Sequence, residues 1–204
     1  ESRQKRAFKE EQMGILETYR GYYTDLQSIN SEDAITWSAF GTVAHCPDGI
    51  RNKFVSGLFK FLHITTEPID CSEIFLWRRI PHPDTLVSGG PEIDFGILTQ
   101  DTLLLGEAKW KSSVGKGQGI NKDKDQIQLR GKFLKEYAPK LYPGVNYFYV
   151  LGVGLANNIT ESYHDIEIRY INTTWQDICN LDSHPNHDEL QKYLAWKIEK
   201  STSG

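Results

Sequence analysis

The sequence predicts an α/β fold in which a mixed β-sheet of about four to five strands is flanked by helices. Three observations support this prediction: a β-hairpin pattern at residues 92–111, an apolar run at 145–154, and helical periodicity before, between and after them. The apolar run is typical of a strand that is covered on both faces. A strand that follows a helix can return to the same sheet by a crossover, so we expect the sheet to be mixed.

The composition is that of one globular domain. The chain has 204 residues, of which 39% are hydrophobic and 25% are charged, so it can bury a substantial core. We expect a single domain over residues 1–204, with N-terminal helices in 6–44, a core at about 70–181 and a C-terminal helix at 188–200. The net charge of −4 argues against a generally basic nucleic-acid-binding coat but allows a local basic patch.

The cysteines and histidines bear on compartment and metal binding. Cys46, Cys71 and Cys179 are isolated and odd in number, which favours reduced, buried thiols in a cytoplasmic protein. No cysteine or histidine spacing matches a zinc motif, and His184 and His187 in a polar loop are not expected to bind a metal. The polar first residues do not resemble a secretory signal, and no apolar run is long enough to cross a membrane, so no membrane partner is expected.

Helices are predicted on the N-terminal side of the sheet. Apolar residues recur at helical spacing over 6–26, and Ser31 has the character of an N-cap for a second helix that runs through Phe40. A turn is predicted over 45–50. The next segment, 52–63, fits either a helix or a helix-to-strand transition, and its pattern does not separate the two.

The remaining elements follow from alternation, apolar runs and capping residues. Strands are predicted over 73–80, 92–99, 102–111, 145–154 and 165–171, and helices over 125–137, 174–181 and 189–200. The second and third strands form a hairpin with a tight turn at Gln100 and Asp101. A loop rich in Gly and Lys follows the hairpin, and Thr173 or Thr174 is the candidate cap of the short helix near the end.

Charged side chains lie inside this hairpin, where the pattern predicts a buried sheet. Residues two apart in a strand point to the same face of the sheet. Glu92 and Asp94 therefore share a face, and Glu107 and Lys109 share a face on the neighbouring strand. The tight turn puts Asp94 roughly opposite Glu107. Two carboxylates at such short range raise each other's pKa unless a cation lies between them. Hard divalent cations with oxygen ligands, such as Mg²⁺, suit this arrangement.

Pro91, Asp94 and the triplet Glu107-Ala108-Lys109 resemble the signature of the PD-(D/E)XK nuclease superfamily, whose fold is called restriction-endonuclease-like. The signature places an Asp on one hairpin strand and (Asp/Glu)-X-Lys on the next, and the resemblance covers residues from about 29 to 181. The segments SEDAITWSAFG, GEAKW and INTTWQDI resemble bacterial and archaeal members of restriction–modification or related defence type. Two residues separate Pro91 from Asp94, and this departure from the simplest spacing leaves the role of Glu92 open.

The resemblance implies a Mg²⁺-dependent endodeoxyribonuclease, with Mn²⁺ able to replace Mg²⁺, that hydrolyses DNA phosphodiester bonds in restriction, defence or repair. Asp94, Glu107 and the backbone carbonyl of Ala108 would bind the ion. Lys109 would orient the attacking water or help to deprotonate it, and would stabilise the developing negative charge. Glu32 is the best match to a glutamate that many members add from an N-terminal helix, where it would be a further catalytic and metal-binding residue.

Other residues extend the predicted site. Gln126 is the best match to a glutamine that many members carry on the helix after the hairpin, ahead of Gln128 and Gln118. Lysine and arginine are dense over 109–135, and a basic run beside a metal site favours contact with DNA phosphates. The residues assigned to such contacts are Lys111, Lys116 and Arg130, the last of which lies one turn after Gln126.

Other interpretations stay open at this point. A nuclease-like module that binds nucleic acid or a partner without cutting would carry the same residues. In a structural subunit they would form exposed cross-strand ion pairs, each worth about 0–1 kcal/mol. Glu32 also fits a first-turn acid that favours a helix dipole, and Trp37 and Trp110 are expected to be packing residues. Specificity would have to come from loops, a homodimer or a partner subunit.

Overall fold

The computed structural model describes residues 31–64, 68–81, 90–112, 114–115 and 124–202. These residues form a five-stranded mixed β-sheet with helices on both faces. The prediction of an α/β fold with a mixed sheet flanked by helices is therefore confirmed. The helix predicted over 6–26 lies outside the described residues.

The strands and helices are numbered here in chain order. The strands are β1 (Ser72–Arg79), β2 (Glu92–Thr99), β3 (Thr102–Ala108), β4 (Tyr147–Gly154) and β5 (Arg169–Thr174). The helices are α1 (Asp33–Thr36), α2 (Thr42–Ala44), α3 (Asp48–Phe61), α4 (Gln126–Glu136), α5 (Ala138–Leu141), α6 (Trp175–Cys179) and α7 (His187–Thr202). A π-helical turn, Trp37–Gly41, joins α1 to α2.

Strand order in the sheet follows chain order, β1-β2-β3-β4-β5. β1, β2 and β3 pair antiparallel, whereas β3, β4 and β5 pair parallel. The connection from β3 to β4 contains α4 and α5, which is the crossover that a parallel pair requires. β3 is thus the central strand, and it is buried along its whole length.

Two apolar layers hold the sheet. One face packs against α1, α2, α3, α6 and α7, through residues such as Phe40, Phe95 and Trp175. The other face packs against α4 and α5, through residues such as Leu103 and Phe133. Because both faces are covered, a charged side chain on the middle strands is desolvated and needs a charged or polar partner.

Capping residues set several helix boundaries. Asp125 accepts from the Gln128 N–H at the start of α4, and the Gln128 side chain accepts from the Asp125 N–H in return. Thr174 caps α6 through the same reciprocal arrangement with Asp177. The segment that the sequence left open is helical, and α3 ends in a Schellman motif at His63, whose φ of 54° is the conformation this motif requires.

Three predicted boundaries are wrong. The turn predicted over 45–50 is shorter, because α3 already begins at Asp48. β3 ends at Ala108 instead of residue 111, because Ala108 is its last residue paired with β4. The strand predicted over 165–171 is displaced toward the C-terminus, as β5 shows.

Local hydrogen bonds explain the displacement of β5. The Asp165 carboxylate accepts from the N–H groups of Glu167 and Ile168. This bonding competes with a strand ladder and folds the segment into a turn, so regular pairing with β4 begins only at Arg169. Alternation of apolar and polar residues did not reveal this competition.

Two further expectations concern the state of the cysteines and the presence of membrane-spanning segments. Cys46, Cys71 and Cys179 are free thiols; Cys179 is buried, as expected, whereas Cys71 is exposed. Burial raises the pKa of the Cys179 thiol far above its usual value, which keeps it protonated. Among the described helices, none combines the length and the apolar character needed to span a membrane.

His184 links the loop before α7 to the α1–α2 segment. Its Nε2 lies 3.0 Å from the Ala39 carbonyl oxygen, and its Nδ1 accepts from the Asn186 N–H at 3.0 Å. The two contacts together require a neutral ring with its proton on Nε2, since a protonated imidazole has no acceptor. Burial lowers the pKa of His184 to about 4.

Acidification should therefore destabilise the fold through His184. Its folded-state pKa of about 4 lies below the ordinary value of 6.5, so the unfolded chain binds the proton first as the pH falls. The free energy of unfolding should decrease between pH 6.5 and about 4, by up to about 3 kcal/mol from this group. Denaturant titrations across this pH range measure the slope. His184→Gln keeps a donor for Ala39 but does not titrate, and an unchanged slope in this variant would contradict the assignment.

Candidate active site

The predicted site lies where β2 and β3 diverge. Phe95 and Gly106 are the last residues paired between the two strands, so Asp94 and Glu107 stand just beyond the ladder. The Asp94 side chain replaces the missing backbone partner, because its Oδ2 accepts from the Ala108 N–H at 2.7 Å. The opened hairpin thus fixes Asp94 against the strand that carries Glu107.

Glu107 carries a fully buried carboxylate. Its Oε1 lies 2.6 Å from Lys109 Nζ, and its Oε2 pairs with Nη2 of Arg130. Each oxygen therefore contacts a cation directly, so the buried charge of Glu107 is paired within the protein.

Lys109 is fixed through its own backbone. Its N–H donates to the Val153 carbonyl at 2.8 Å, and its carbonyl accepts from the Trp175 indole N–H at 2.8 Å. The ammonium lies between two carboxylates, 2.6 Å from Glu107 Oε1 and 3.7 Å from Glu32 Oε1. Burial acts to lower the pKa of Lys109, but the attraction of Glu107 and the other carboxylates outweighs it and raises this pKa. Lys109 is therefore a cation at neutral pH.

Asp94 is the acid of the site that titrates near neutrality. Burial, followed by the negative charge of Glu107, raises the pKa of Asp94 to about 7, although Arg130 Nη2 lies 3.9 Å from its Oδ2. The carboxylates of the site are Asp94, Glu107 and Glu32, and its cations are Lys109 and Arg130. The site therefore has one more acid than it has cations, and it can take up a proton or a further cation.

Arg130 is not placed for its predicted role. The sequence assigned it to a DNA phosphate, but its side chain is completely buried. Its guanidinium donates to the carbonyls of Gly106, Gln126 and Glu92 at 3.3, 3.0 and 3.2 Å, in addition to its pair with Glu107. A guanidinium held in this way is the counterion of Glu107 and does not face a phosphate at the surface.

The sequence contained a signal for this burial. Ile127 and Leu134, both buried, lie three residues before and four residues after Arg130, so the three share one stripe of α4. The same test identifies Lys197, which continues the buried stripe of Leu190 and Leu194 in α7 and is itself fully buried. A charged residue on an apolar helical stripe therefore predicts a buried cation whose partners lie inside the protein.

Glu32 reaches the site because α7 holds its segment in place. The Lys197 ammonium donates to the Ser31 carbonyl at 2.8 Å and lies 4.6 Å from the centroid of the Trp110 ring. Burial lowers the pKa of Lys197 to about 8. Trp110 is buried, in agreement with the packing role expected for it. The start of the α1 segment is thus attached to α7, and Glu32 faces Lys109.

Gln126 and Glu92 lie beside the site. The Gln126 side-chain oxygen accepts from the Gly115 N–H at 3.1 Å, and the Gln126 backbone N–H donates to the Gly115 carbonyl at 3.0 Å. Gln126 therefore attaches Gly115 to the start of α4. The Glu92 carboxylate is half exposed and lies 3.5 Å from Arg79, which places this spare acid at the rim.

The structure describes one of the two lysines assigned to phosphate contacts. The Lys111 ammonium donates to the Ser201 carbonyl near the C-terminal end of α7, where a cation also complements the helix dipole. Lys116 lies outside the described residues, as does Gln118. Phosphate binding by Lys111 and Lys116 stays a prediction.

Two carboxylates of the site fit a hard divalent cation. Glu107 offers two buried oxygens, each beside a cation of the protein, and Asp94 lies next to it with a pKa that burial and the negative charge of Glu107 raise. Mg²⁺ typically takes one or two carboxylates and completes its shell with water and substrate oxygens. Among the described residues, no three His, Cys, Asp or Glu side chains converge as a metal-binding group, and Glu32 pairs with Lys109 instead of joining the other two acids.

Comparison with known proteins assigns no family. The chain matches no protein-family model, no curated protein and no solved structure. The likeness to the PD-(D/E)XK superfamily therefore consists of the hairpin motif and its setting, and function has to be inferred from the geometry and charge of the site.

The Arg130–Glu107 contact should behave as a buried ion pair in a mutant cycle. Arg130→Met leaves a buried carboxylate with one of its two counterions removed and should lower the free energy of unfolding by about 3–5 kcal/mol. Glu107→Leu should cost a similar amount, whereas the double variant should recover much of the loss because neither charge remains alone. Denaturant unfolding of the four proteins measures the coupling.

The control for this cycle is a residue on the same helix. Lys132→Met removes a partly exposed ammonium that lies 3.9 Å from Glu136, and it should change stability far less than Arg130→Met. Additive losses in the Arg130 and Glu107 double variant would show that the two residues do not act as a pair.

Proposed function

We propose that the protein is a divalent-metal-dependent nuclease that hydrolyses DNA phosphodiester bonds, with the restriction-endonuclease-like fold of the PD-(D/E)XK superfamily. The observation that supports this most strongly is the convergence of Asp94, Glu107 and Lys109, here called the hairpin cluster, where β2 and β3 diverge. Their charges lie at the end of an otherwise apolar sheet, where burial is unfavourable unless the charges are paired or perform chemistry.

Burial argues against a structural ion-pair cluster at the surface. The Glu107 side chain is 0% exposed, and the Lys109 and Asp94 side chains are 11% and 22% exposed. The pKa of Asp94 is raised to about 7, which exposed ion pairs do not cause. A buried acid with a perturbed pKa beside a buried lysine is typical of sites that bind ions or transfer protons.

The positions of the residues suggest their roles. Asp94 and Glu107 would hold the divalent ion, with the Ala108 carbonyl as a further oxygen donor. When bound, such an ion lowers the pKa of water and neutralises negative charge on the phosphate. Lys109 keeps its proton beside Glu107, so it donates hydrogen bonds that orient the attacking water and stabilises negative charge on the phosphoryl oxygens.

Two further residues position these groups without contacting the substrate. Arg130 holds the Glu107 carboxylate from the α4 side and also holds the backbone of β2 through the Glu92 carbonyl. Glu32 is the second acid beside the Lys109 ammonium, so this ammonium pairs with both Glu107 and Glu32. The hairpin cluster is thereby held in one arrangement by the helices on both faces of the sheet.

One observation favours a second candidate function, a nuclease-like module that binds nucleic acid or a partner protein without cutting it. The Arg130 guanidinium pairs with Glu107 and lies 3.9 Å from Asp94, so a cation built into the chain already neutralises part of the site. A protein of this kind would bind DNA equally well with and without a chelator, and would leave it intact.

A cleavage panel with a matched neutral variant separates the two candidates. In a panel of plasmid DNA and of single- and double-stranded oligonucleotides, at least one substrate should be cleaved with Mg²⁺ or Mn²⁺ and none with EDTA, and Asp94→Asn should lower the rate at least about 100-fold. Because burial already favours the neutral form of Asp94, its amide isostere should fold normally. An unchanged melting temperature would therefore assign the loss to the chemistry.

Glu92→Gln, on the same strand but at the rim, is the control and should cleave at the wild-type rate. DNA binding without cleavage under every metal condition would favour the second candidate. Full activity of Asp94→Asn would contradict the nuclease proposal.

A further inference from the structure

At Trp77 the pairing between β1 and β2 is interrupted, directly beside the hairpin cluster. β1 and β2 are paired at the residues before and after Trp77, but not at Trp77 itself. The same register puts Trp77 across from Asp94, and opposed residues of antiparallel strands lie about 5 Å apart at their Cα atoms. The backbone of Trp77 is thus next to that of a proposed metal ligand.

Trp77 has a backbone conformation that large residues rarely adopt. Its φ is 51°, in the left-handed region, and His63 is the one other non-glycine residue with a positive φ among those described. The Schellman motif at the end of α3 accounts for His63. Trp77 lies inside a strand, where no helix ending requires this conformation, and such strain is found mainly at functional positions.

This conformation turns the Trp77 indole toward the α1–α2 segment. Leu76 already packs on the core of that face, so regular alternation would send Trp77 to the opposite face. Instead, its ring stacks on Trp37 with centroids 6.0 Å apart and an interplanar angle of 4°. The Trp37 ring also lies 5.7 Å from that of His45. Three rings therefore form a row that begins at Trp77.

The row combines a fixed inner ring with an accessible outer one. Trp37 lies against Gly41, where an added Cβ would come within 2.5 Å of the indole, so the helix backbone supports this ring closely. Trp77 is 38% exposed. A tryptophan that served packing alone would be expected to bury its ring, whereas a partly exposed indole on a rigid support is a surface on which a planar group can stack.

Cationic side chains follow Trp77 in β1. Arg78 and Arg79 are 42% and 63% exposed, and they pair with Glu73 and Glu92 in exposed contacts. Exposed ion pairs of this kind are weak, so a phosphate can replace the acids as the partner of either guanidinium. A planar stacking surface beside arginines and a site for phosphate chemistry matches the components of a nucleotide.

We propose that Trp77, supported by Trp37, stacks on one base of single-stranded DNA while a neighbouring phosphate of the same strand lies at the hairpin cluster. This inference rests on the proposed nuclease function and names the state of its substrate. A base inside a duplex has both faces covered by its neighbours, so only an unstacked base can use the indole. Stacking accepts every base, and the site therefore selects single-stranded DNA and not a sequence.

Binding without turnover tests the stacking site. A short fluorescein-labelled single-stranded oligonucleotide is titrated with the protein in EDTA, and fluorescence anisotropy gives Kd. Trp77→Ala should raise Kd about tenfold, and Trp77→Phe should retain most of the affinity because it keeps an aromatic face. Tyr147→Ala is the matched control, since Tyr147 is 48% exposed, pairs with Thr102 at the opposite end of the sheet, and should leave Kd unchanged.

An abasic oligonucleotide tests whether the wild-type protein binds through a base. This test does not depend on how a variant folds. An oligonucleotide of the same length without bases keeps the phosphates but offers nothing to stack on, and it should bind the wild-type protein about tenfold more weakly. Trp77→Ala should show little further loss on the abasic strand, because the two changes remove the same interaction. Equal Kd values for wild type and Trp77→Ala would overturn the stacking site.

Cleavage is measured separately, so the two proposals can fail independently. Cleavage with Mg²⁺ together with binding that ignores Trp77 would overturn the stacking site and leave the nuclease. Binding that depends on Trp77 without any cleavage would support the stacking site and overturn the nuclease.

Discussion

The buried Glu107 carboxylate, held between Arg130 and Lys109, is the interaction on which the rest of the site depends. A lone charge in this apolar sheet would be strongly unfavourable, and the two cations offset that cost. One cation comes from the crossover helix α4 and the other from the end of the central strand, so the ion pairs connect elements that are distant in sequence. The same guanidinium binds the Glu92 carbonyl and thereby fixes the end of β2 as well.

The charge balance around Glu107 distinguishes this site from a purely structural network of ion pairs. With equal numbers of acids and cations, each charge would be satisfied within the protein. Here Asp94 is in excess, and burial beside Glu107 raises its pKa to about 7. It keeps its place because the diverging strands leave the Ala108 N–H for its carboxylate. The strand divergence therefore supplies both the position and the unsatisfied charge that a divalent cation would use.

Regular local patterns could be predicted from the sequence, and contacts between distant elements could not. β2 was predicted to the residue, Glu92–Thr99, and the hairpin register brought Asp94 and Glu107 together, because alternation and a tight turn determine which residues are neighbours. The partner of Glu107 depends on how α4 packs on the sheet. Arg130 was therefore read as a surface residue, although its helical stripe indicated burial. The left-handed Trp77 has no signal in the pattern of β1.

Diffraction from crystals soaked in Mn²⁺ would test most directly whether Asp94 and Glu107 form a divalent-cation site. The expected result is an anomalous-difference peak about 2.1 Å from oxygens of both carboxylates, with Lys109 beside it and no direct contact to the ion. The contradicting result is a well-ordered structure at millimolar Mn²⁺ with no peak at these residues and with Arg130 still bridging them.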